Sequence, residues 1–307
     1  MDNFKDLRIK AKLLHTLKGH KSAVYALASY KSHRFLSAGG DGWIAEWDHQ
    51  ESEDGRLLAQ TSSNLFSLQS SYNGDLVMAG DIHGDLHVVS SNGAEPRRIE
   101  YHKKGLFGLH ELDDCFLSLA GDGMMTKWTK DSFQKMESFQ LSHHRIRGFA
   151  HLALSNRIVI GSSDKNIYII DLESFSIQQV IKLAHENSVF TLAVSKDEKF
   201  LLSGGRDAIL KVWNIGKELS HHQDIPAHLF TINAIKYSPD QRIFATASRD
   251  KTIKIWDAKE FKLLKVLECI RDEAHINSVN DLLWLSENRL ISCSDDRSIK
   301  IWDVGYC

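Results

Sequence analysis

The stretch TASRDKTIKIWD, residues 246–257, decides the fold because the chain repeats its pattern. In each copy the first residue is Ser or Thr, the fifth is Asp and the eleventh is Trp. The other copies are SAGGDGWIAEWD (37–48), SLAGDGMMTKWT (118–129), SGGRDAILKVWN (203–214) and SCSDDRSIKIWD (292–303). Three positions fixed in five stretches indicate an internal repeat, which has to be identified before any single motif is interpreted.

Aligned on the turn residue, the chain contains seven units that recur at intervals of roughly 39 to 46 residues. The turn residues are Asp41, His83, Asp122, Asp164, Asp207, Asp250 and Asp296. Within a unit, short apolar runs alternate with Gly, Asp, Ser or Asn. In the sixth unit the runs are INAIKYS (232–238), RIFATAS (242–248), TIKIW (252–256) and FKLLKVL (261–267). Runs of this length and composition predict β-strands joined by tight turns.

A sheet of four strands cannot bury two faces alone, so the seven sheets must stack on one another, and a ring satisfies all of them. The pattern resembles WD repeats over essentially the whole chain. The residues that carry the resemblance are Trp47-Asp48, Trp213-Asn214, Trp256-Asp257, Trp302-Asp303 and the companion Gly19-His20. That family forms β-propellers. The resemblance therefore implies an all-β fold, a seven-bladed WD-repeat β-propeller with four-stranded antiparallel blades.

The two ends of the chain predict how the ring closes. Only five residues follow Trp302, too few for a fourth strand in the last unit. The run KLLHTLKGH (12–20) precedes the first unit and closely matches KLLKVLECI (262–270), the fourth strand after the sixth turn. We therefore expect residues 9–18 to supply the outer strand of the last blade. This pairing would leave no exposed strand edge and make residues 1–307 a single domain.

Composition bounds the class of protein. The chain is 42% hydrophobic and 25% charged with a formal net charge of −2, which is typical of a soluble globular protein and lacks the basic excess that nucleic-acid or membrane binding needs. No apolar run approaches 18 residues, and the start MDNFKDLRIK is not a secretory signal. The cysteines form no CxxC motif, which favours reduced thiols and a cytoplasmic location. They are Cys115, Cys269, Cys293 and Cys307.

Five units combine a His, a hydroxyl, an Asp and a Trp at similar spacing. The sets are His20/Ser37/Asp41/Trp47, His102/Ser118/Asp122/Trp128, His185/Ser203/Asp207/Trp213, His228/Thr246/Asp250/Trp256 and His275/Ser292/Asp296/Trp302. A Ser-His-Asp triad would need one nucleophile beside one oxyanion hole, whereas this set recurs around the ring. A buried His can donate to Asp and accept from the hydroxyl, which in turn accepts from the indole. We predict structural tetrads and no catalytic residue, as the resemblance also implies.

Two units depart from the tetrad. The second has Ala79, His83 and Val89 at the hydroxyl, Asp and Trp positions. The fourth keeps Asp164 but has Ser142, Ile160 and Ile170 at the His, hydroxyl and Trp positions. We expect apolar packing alone to hold these two blades. His83 and the pair His143-His144 are the histidines that could bind a metal, but no second ligand stands at metal spacing, so we expect neither a metal nor a cofactor.

In the family, partners often dock on the disc face that carries the turns between the second and third strands. One position per unit, the second residue of the first strand, faces that surface. It reads Tyr25, Phe66, Phe107, Arg147, Phe190, Asn233 and Asn280. Aromatic residues in strands are usually core, and this alternative stays open, although the Arg and Asn residues argue against it. If the position is exposed, Tyr25, Phe66 and Phe107 form an apolar arc, which usually marks a binding site.

A second position lies just before the turn Asp. It reads Gly40, Ile82, Gly121, Ser163, Arg206, Arg249 and Asp295. Together with Arg145 and Arg147, the arginines of this series predict a basic sector beside the aromatic residues. Guanidinium forks could grip acidic or phosphorylated groups of a partner. Solvated surface arginines are the alternative.

These features predict a non-enzymatic protein–protein interaction scaffold that binds partner proteins or peptide segments around the central channel. The candidate partner-binding residues are Tyr25, Phe66, Phe107, Arg147, Phe190, Arg206 and Arg249. The expected partner carries acidic and hydrophobic residues; nucleic acid and membrane are not expected, and self-association is left open. Two alternatives remain: an enzyme with catalytic His, Asp or Glu residues in the channel, and nucleic-acid binding through the arginines.

Overall fold

The structure, a computed structural model, describes residues 8–49, 55–91 and 96–306. Apart from a 3-10 turn (Ala153–Ser155) and the short helix α1 (Cys269–Asp272), the regular elements in these ranges are strands. The first strands are β1 (Ile9–Lys18), β2 (Val24–Tyr30), β3 (Arg34–Gly39), β4 (Trp43–Asp48), β5 (Arg56–Gln60), β6 (Leu65–Ser70), β7 (Leu76–Asp81), β8 (Leu86–Ser90) and β9 (Arg97–Ile99). The middle strands are β10 (Leu106–Glu111), β11 (Cys115–Ala120), β12 (Met124–Thr129), β13 (Lys135–Gln140), β14 (Ile146–Leu152), β15 (Arg157–Ser162), β16 (Ile167–Asp171) and β17 (Ser176–Ile181). The last strands are β18 (Val189–Val194), β19 (Phe200–Gly205), β20 (Ile209–Asn214), β21 (Ser220–Pro226), β22 (Ile232–Tyr237), β23 (Ile243–Ser248), β24 (Ile253–Asp257), β25 (Leu263–Leu267), β26 (Val279–Ser286), β27 (Arg289–Ser294) and β28 (Ser298–Tyr306).

These strands form seven sheets of four antiparallel strands each. Blades one to six contain consecutive strands, from β2–β5 in the first to β22–β25 in the sixth. The seventh has the order β1-β28-β27-β26, in which β1 pairs with β28 from Ile9↔Tyr306 to Lys18↔Ser298. The predicted seven-bladed propeller and its closure by the N-terminal strand are confirmed.

A bulge in β1 lets this one strand serve two interfaces. The pairing with β28 shifts between Leu13 and His15. Because side chains alternate between the faces of a strand, the shift exchanges the two faces. Before the bulge, Ile9, Ala11 and Leu13 pack into the cluster between blades six and seven. After it, Leu17 packs on the other side, with the residues between blades seven and one, and is only 1% exposed.

The core lies between the sheets. Seven clusters of buried apolar side chains occupy the seven spaces between neighbouring blades. Between the first two blades, for example, Leu36 and Ile44 pack against Leu65 and Val77. Each blade therefore depends on both of its neighbours for burial, as in other repeat architectures.

Two further sequence expectations concern the thiols and the membrane. Cys115 and Cys293 are buried free thiols and Cys269 is an exposed one, while Cys307 lies outside the described residues. Within the described ranges, no helix is long and apolar enough to cross a bilayer.

Candidate functional site

Every innermost strand carries a β-bulge at its second residue. In blade one the pairing jumps from Val24↔Gly39 to Ala26↔Ala38, which leaves Tyr25 outside the ladder. The same shift occurs at the start of five other inner strands, and in blade four the interruption covers both Arg147 and Gly148. A bulge redirects the side chain of the extra residue. The residues in the bulges are those of the first predicted series, Tyr25, Phe66, Phe107, Arg147, Phe190, Asn233 and Asn280.

All seven bulge residues are half-buried and line a cavity of about 610 Å³ at the mouth of the central channel. They are therefore neither core residues nor fully solvated ones. This position accepts Phe, Arg and Asn alike because each side chain keeps one side open to the channel. The alternative of a pure core position does not fit this placement.

Three of the bulge residues form a continuous aromatic arc, defined here as Tyr25, Phe66 and Phe107. The rings of Tyr25 and Phe66 stack at a centroid distance of 4.6 Å, and Phe66 meets Phe107 edge-on at 5.8 Å. Aromatic pairs in these geometries contribute roughly 0.5–1.5 kcal/mol beyond their area burial. The arc therefore presents one preorganised apolar surface across blades one to three.

Small residues before the turn Asp make room for this arc. A Cβ atom at Gly121 would lie 3.0 Å from a ring carbon of Phe107, and one at Gly40 would lie 3.4 Å from the ring of Tyr25. The two predicted series are thus neighbours in space, since the turn of a blade touches the bulge residue of the same blade. In blade seven the corresponding contact is polar, because Asn280 Nδ2 donates to Asp295 Oδ1 at 2.8 Å.

Arg147 extends the arc as a cation held between two rings. Its guanidinium carbon lies 4.3 Å from the centroid of Phe107 and 4.8 Å from that of Phe190. Its Nε is buried without a hydrogen-bond partner. Burial, together with the charge of Arg145, lowers the pKa of Arg147 to about 10, so the side chain stays charged at neutral pH. The sequence pattern places Arg147 in one basic sector with Arg145, Arg206 and Arg249. In the structure Arg147 lies between two aromatic rings instead.

The other members of the basic sector are exposed. Arg145, Arg206 and Arg249 lie at the same face, on blades four, five and six. None of the three forms an ion pair with another residue in the described ranges. Their charges are therefore available to a ligand at the channel mouth.

Sequence reasoning missed an apolar group at the rim of blades six and seven. Leu229, Phe230 and Ile276 are 85%, 59% and 59% exposed. Leu229 N donates to Asp250 Oδ2 and Arg249 N donates to the carbonyl of Thr231, so the pair Leu229-Phe230 lies beside Arg249. The pattern was readable: the two residues after the tetrad His are polar in blades one, three and five, as in Lys103-Lys104 and Glu186-Asn187, but include apolar residues in blades six and seven.

The five tetrads lie away from the channel, where the loop entering each blade meets its second and third strands. Their hydroxyl side chains belong to residues that are all 0% exposed, Ser37, Ser118, Ser203, Thr246 and Ser292. Their indoles belong to residues that are 0–4% exposed, Trp47, Trp128, Trp213, Trp256 and Trp302. These residues are therefore interior, and none of them is part of a surface that a substrate or a partner could contact.

Hydrogen bonds link the four members in series in four tetrads, and the His, hydroxyl and Trp in the fifth. The hydroxyl donates to His Nε2 at 2.7–2.9 Å and accepts from the Trp indole at 2.7–2.9 Å. In four tetrads His Nδ1 donates to the Asp carboxylate at 2.9 Å. No substrate can reach a hydroxyl that is so enclosed and already bonded on both sides.

The third blade has the loosest of the five tetrads. Ser118 Oγ keeps both of its links, to His102 Nε2 and to Trp128 Nε1, each at 2.8 Å. His102 Nδ1, however, is 3.4 Å from Asp122 Oδ2 and is buried without a hydrogen-bond partner. The buried part of this tetrad is therefore preserved, and the hydrogen bond to the turn carboxylate is missing.

The pKa values of the tetrad Asp residues and of two tetrad histidines fit a neutral imidazole beside a carboxylate. Burial raises the pKa of the tetrad Asp residues, but hydrogen bonds from His and from the backbone outweigh it, so that the pKa is lowered in all five. Burial lowers the pKa of His228 and of His275. A neutral ring that donates from Nδ1 must accept at Nε2, which matches the observed partners.

The expectation that apolar packing alone holds the second blade is wrong. Asp81, which is 0% exposed, accepts the backbone N–H groups of His83, Gly84 and Asp85 through Oδ1. Its Oδ2 accepts from His87 Nε2 at 3.0 Å. Burial raises the pKa of Asp81, but these hydrogen bonds outweigh it and lower the value to about 2. A different His–Asp pair therefore organises this turn.

The fourth blade also has a substitute network. Asp164 Oδ2 accepts from the hydroxyls of Ser142 and Tyr168, both at 2.6 Å. Tyr168 and His87 occupy the same place in their repeats, two residues before the position of the missing Trp. The alternative donors thus come from the third strand in both blades. His83, His143 and His144, the candidate metal ligands, are exposed, and no cluster of three or more such ligands lies within the described residues.

The carboxylates that line the channel cavity, within the described residues, are Asp281 and Asp295. Asp281 Oδ2 accepts the N–H of Leu27 at 3.0 Å and Oδ1 accepts that of Leu282 at 2.8 Å. Burial raises the pKa of Asp281. Because the N–H of Leu27 belongs to blade one, this carboxylate joins the last blade to the first and has its oxygens occupied by the backbone.

Known proteins resemble this chain along its whole length. The model of the family described as "WD domain, G-beta repeat" matches residues 11–48, 177–214, 219–257 and 263–303, together about half of the chain. Actin-interacting protein 1 of Caenorhabditis elegans is 23% identical over 300 residues, which are 94% of this chain and 48% of that protein. WD repeat-containing protein 1 of Gallus gallus is 22% identical over 317 residues, 99% of this chain and 50% of that protein.

The chain thus spans about half the length of the curated relatives it matches. Among solved structures, the WD40 β-propeller domain of Doa1 superposes with a TM-score of 0.84 at 19% identity, covering 96% of this chain and 97% of that one. This likeness shows the fold. Together with the repeats matched by the family model, it establishes that the chain belongs to the WD domain, G-beta repeat family.

Proposed function

We propose that the protein is a non-enzymatic interaction scaffold that binds segments of partner proteins at the mouth of the central channel. The observation that carries this proposal is the aromatic arc, which is half-buried, preorganised by ring contacts and open to a cavity of about 610 Å³. Accessible aromatic clusters of this kind are typical of the energetic centres of interfaces.

The charges around the arc support a partner with both apolar and acidic side chains. Apolar side chains of the partner fit the arc on blades one to three, and acidic ones fit Arg206 and Arg249 on blades five and six. The name of one relative, Actin-interacting protein 1, also refers to a protein partner. We propose a protein partner in the cytoplasm, and neither a nucleic acid nor a membrane.

The buried hydroxyls and carboxylates support a role without catalysis. The tetrad hydroxyls are enclosed and bonded on both sides, and Asp281 has its oxygens occupied by backbone donors. We therefore propose that the tetrads brace the blades, since removal of one member would leave its partners unsatisfied at about 1–3 kcal/mol each.

A peptide selection tests this function. A random peptide library displayed on phage is selected on the wild-type protein, and the enriched peptides are measured against the double variant Phe66→Ala/Phe107→Ala. Because interface aromatics commonly contribute about 2 kcal/mol or more, we expect affinity to fall by at least about tenfold. Leu154→Ala is the matched control, since Leu154 is 76% exposed but follows β14 on the opposite face. Equal binding by the double variant and the wild type would contradict the proposal.

A further inference from the structure

The Arg147 guanidinium lacks the partners that several other buried charged groups of this protein have. Glu46, only 4% exposed, is paired with both Arg34 and Arg56, and the fully buried Asp81 is paired with His87. Arg147 forms neither a hydrogen bond nor an ion pair with any residue that the structure describes. The Nε of this half-buried group is enclosed without a partner, which is costly, and an anionic ligand would supply a counter-charge.

The cavity itself offers no counter-charge to Arg147. The two carboxylates that line it among the described residues, Asp281 and Asp295, both belong to blade seven, three blades away from Arg147. Both already accept hydrogen bonds, Asp281 from backbone N–H groups and Asp295 from Asn280. The charge of Arg145, another cation, lowers the pKa of Arg147 together with burial. The side of the channel mouth at blade four is therefore positively charged and suited to bind an anion.

The two rings that hold Arg147 also determine how an anion would be bound. Phe107 and Phe190 flank the guanidinium at 4.3 and 4.8 Å and keep solvent from its faces. The Nη1 and Nη2 groups remain to donate a bidentate pair of hydrogen bonds, the geometry that fits a carboxylate. Exclusion of water strengthens such a charge pair.

We propose that Arg147 binds a single carboxylate of the partner segment, and this inference rests on the proposed function. Of the two neighbouring arginines, only Arg147 is held between rings, whereas Arg145 is exposed. One held cation balances one negative charge, which favours an Asp, a Glu or a terminal carboxylate over a phosphate dianion. Phe107 contacts both Arg147 and Phe66. The recognised segment therefore carries its carboxylate close to an apolar side chain that packs on the arc.

The test is a coupling measurement on the peptides selected from the phage library. We expect the enriched sequences to place an Asp or Glu near an apolar residue. Replacing that Glu by Gln in the peptide, or Arg147 by Gln in the protein, should each weaken binding by at least about tenfold. Both changes together should weaken it no more than either alone, because they remove the same interaction. Arg97→Gln, at an exposed arginine on the outermost strand of blade two, is the matched control and should change the affinity by less than about threefold.

Three outcomes separate this inference from the proposed function. Peptides that need Phe66 and Phe107 but show additive, uncoupled losses would overturn the role of Arg147 and leave the scaffold intact. If a peptide with phosphoserine in place of the Glu binds more tightly than the Glu peptide, the assignment to a carboxylate is wrong. The absence of any selected peptide, or binding that survives Phe66→Ala/Phe107→Ala, would overturn both. If the melting temperature shows that Arg147→Gln does not fold, Arg147→Lys keeps the charge without the fork and is measured instead.

Discussion

At the scale of residues, blades two and four lack the tetrad, yet hydrogen bonds from other positions hold their turns. His87 and Tyr168 reach the carboxylate of a turn Asp from the same place in the repeat, although neither blade has a complete tetrad. Matching the sequence against the tetrad could find its absence but not the replacement. The replacement depends on how far a side chain on the third strand reaches across a turn, and this is a property of the folded hairpin.

The first prediction at this scale concerns Tyr168. Tyr168→Phe removes one of the two hydroxyl donors of Asp164, so a half-buried carboxylate loses a charge-assisted hydrogen bond. We expect the free energy of unfolding, measured by urea titration, to fall by about 1.5–3 kcal/mol. The matched control is Tyr237→Phe, because the Tyr237 hydroxyl is buried without a partner; its effect should stay within about 0.5 kcal/mol. Similar losses in the two variants would refute the network.

A second prediction concerns the pair His110 and His151, whose rings meet at 4.9 Å across blades three and four. Burial and the neighbouring His151 lower the pKa of His110 to about 4, and burial lowers that of His151 as well. The unfolded chain therefore binds protons that the folded one does not, once the pH falls below about 6.5. Stability should be complete above that pH and decrease toward pH 4, by up to about 3 kcal/mol for His110.

Unfolding curves for His110→Asn test this pH dependence. Above about pH 7 the difference in unfolding free energy between the variant and the wild type should be constant, because both imidazoles are neutral in both states. Between about pH 6.5 and 4 the wild type should lose stability more steeply than the variant. Parallel curves over the whole range would show that His110 titrates alike in the folded and unfolded chain.

At the scale of elements, the alternation of apolar residues was enough to predict the strands but not the bulges. The pattern places Val24 and Ala26 correctly, because both remain in the ladder. Tyr25 lies in the bulge, where alternation assigns no face, so its exposure could not be read from the sequence. The same reason applies to Arg147, whose ring partners come from the blades on either side.

For strand β1, the sequence predicted the pairing partner but not the bulge. Its range and its partner were predictable from the match between residues 12–20 and 262–270, and the structure pairs it with β28 over Ile9–Lys18. Its bulge between Leu13 and His15 was not predictable, since both sides of the strand carry apolar residues. That bulge decides which interface each residue fills, and it explains why one strand supports two clusters.

At the scale of the whole molecule, the seven interfaces form a closed cycle. Each cluster joins two blades, so opening the ring at one place exposes surface in its neighbours. We propose that residues 1–307 behave as a single domain for this reason. The channel mouth depends on the closure as well, because Asp281 of blade seven accepts the N–H of Leu27 in blade one beside Tyr25.

The corresponding prediction is that the stability of the propeller depends on the pairing of β1 with β28, and not on where along the chain β1 is attached. A chain that starts at Gly19 lacks β1, so β28 keeps an open edge. The cluster between blades seven and one loses Leu17, and the cluster between blades six and seven loses Ile9, Ala11 and Leu13. Burying each larger side chain contributes roughly 1.5–3 kcal/mol, and the total is comparable with the stability of a typical domain. We expect a lower urea midpoint and a broader transition, with a reduced slope of free energy against urea.

A circular permutant is the matched control for the truncation. It also starts at Gly19 and continues from Tyr306 through a short Gly-Ser linker into residues 9–18, which is feasible because Ile9 pairs with Tyr306. The added hairpin restores every strand, and a short loop contributes little entropy cost. The permutant should therefore unfold within about 2 kcal/mol of the parent and with the same slope. If the permutant unfolds like the truncated chain, closure by β1 does not hold the blades together. If the truncated chain unfolds like the parent, the seventh blade is stable with three strands and the ring is not a cooperative unit.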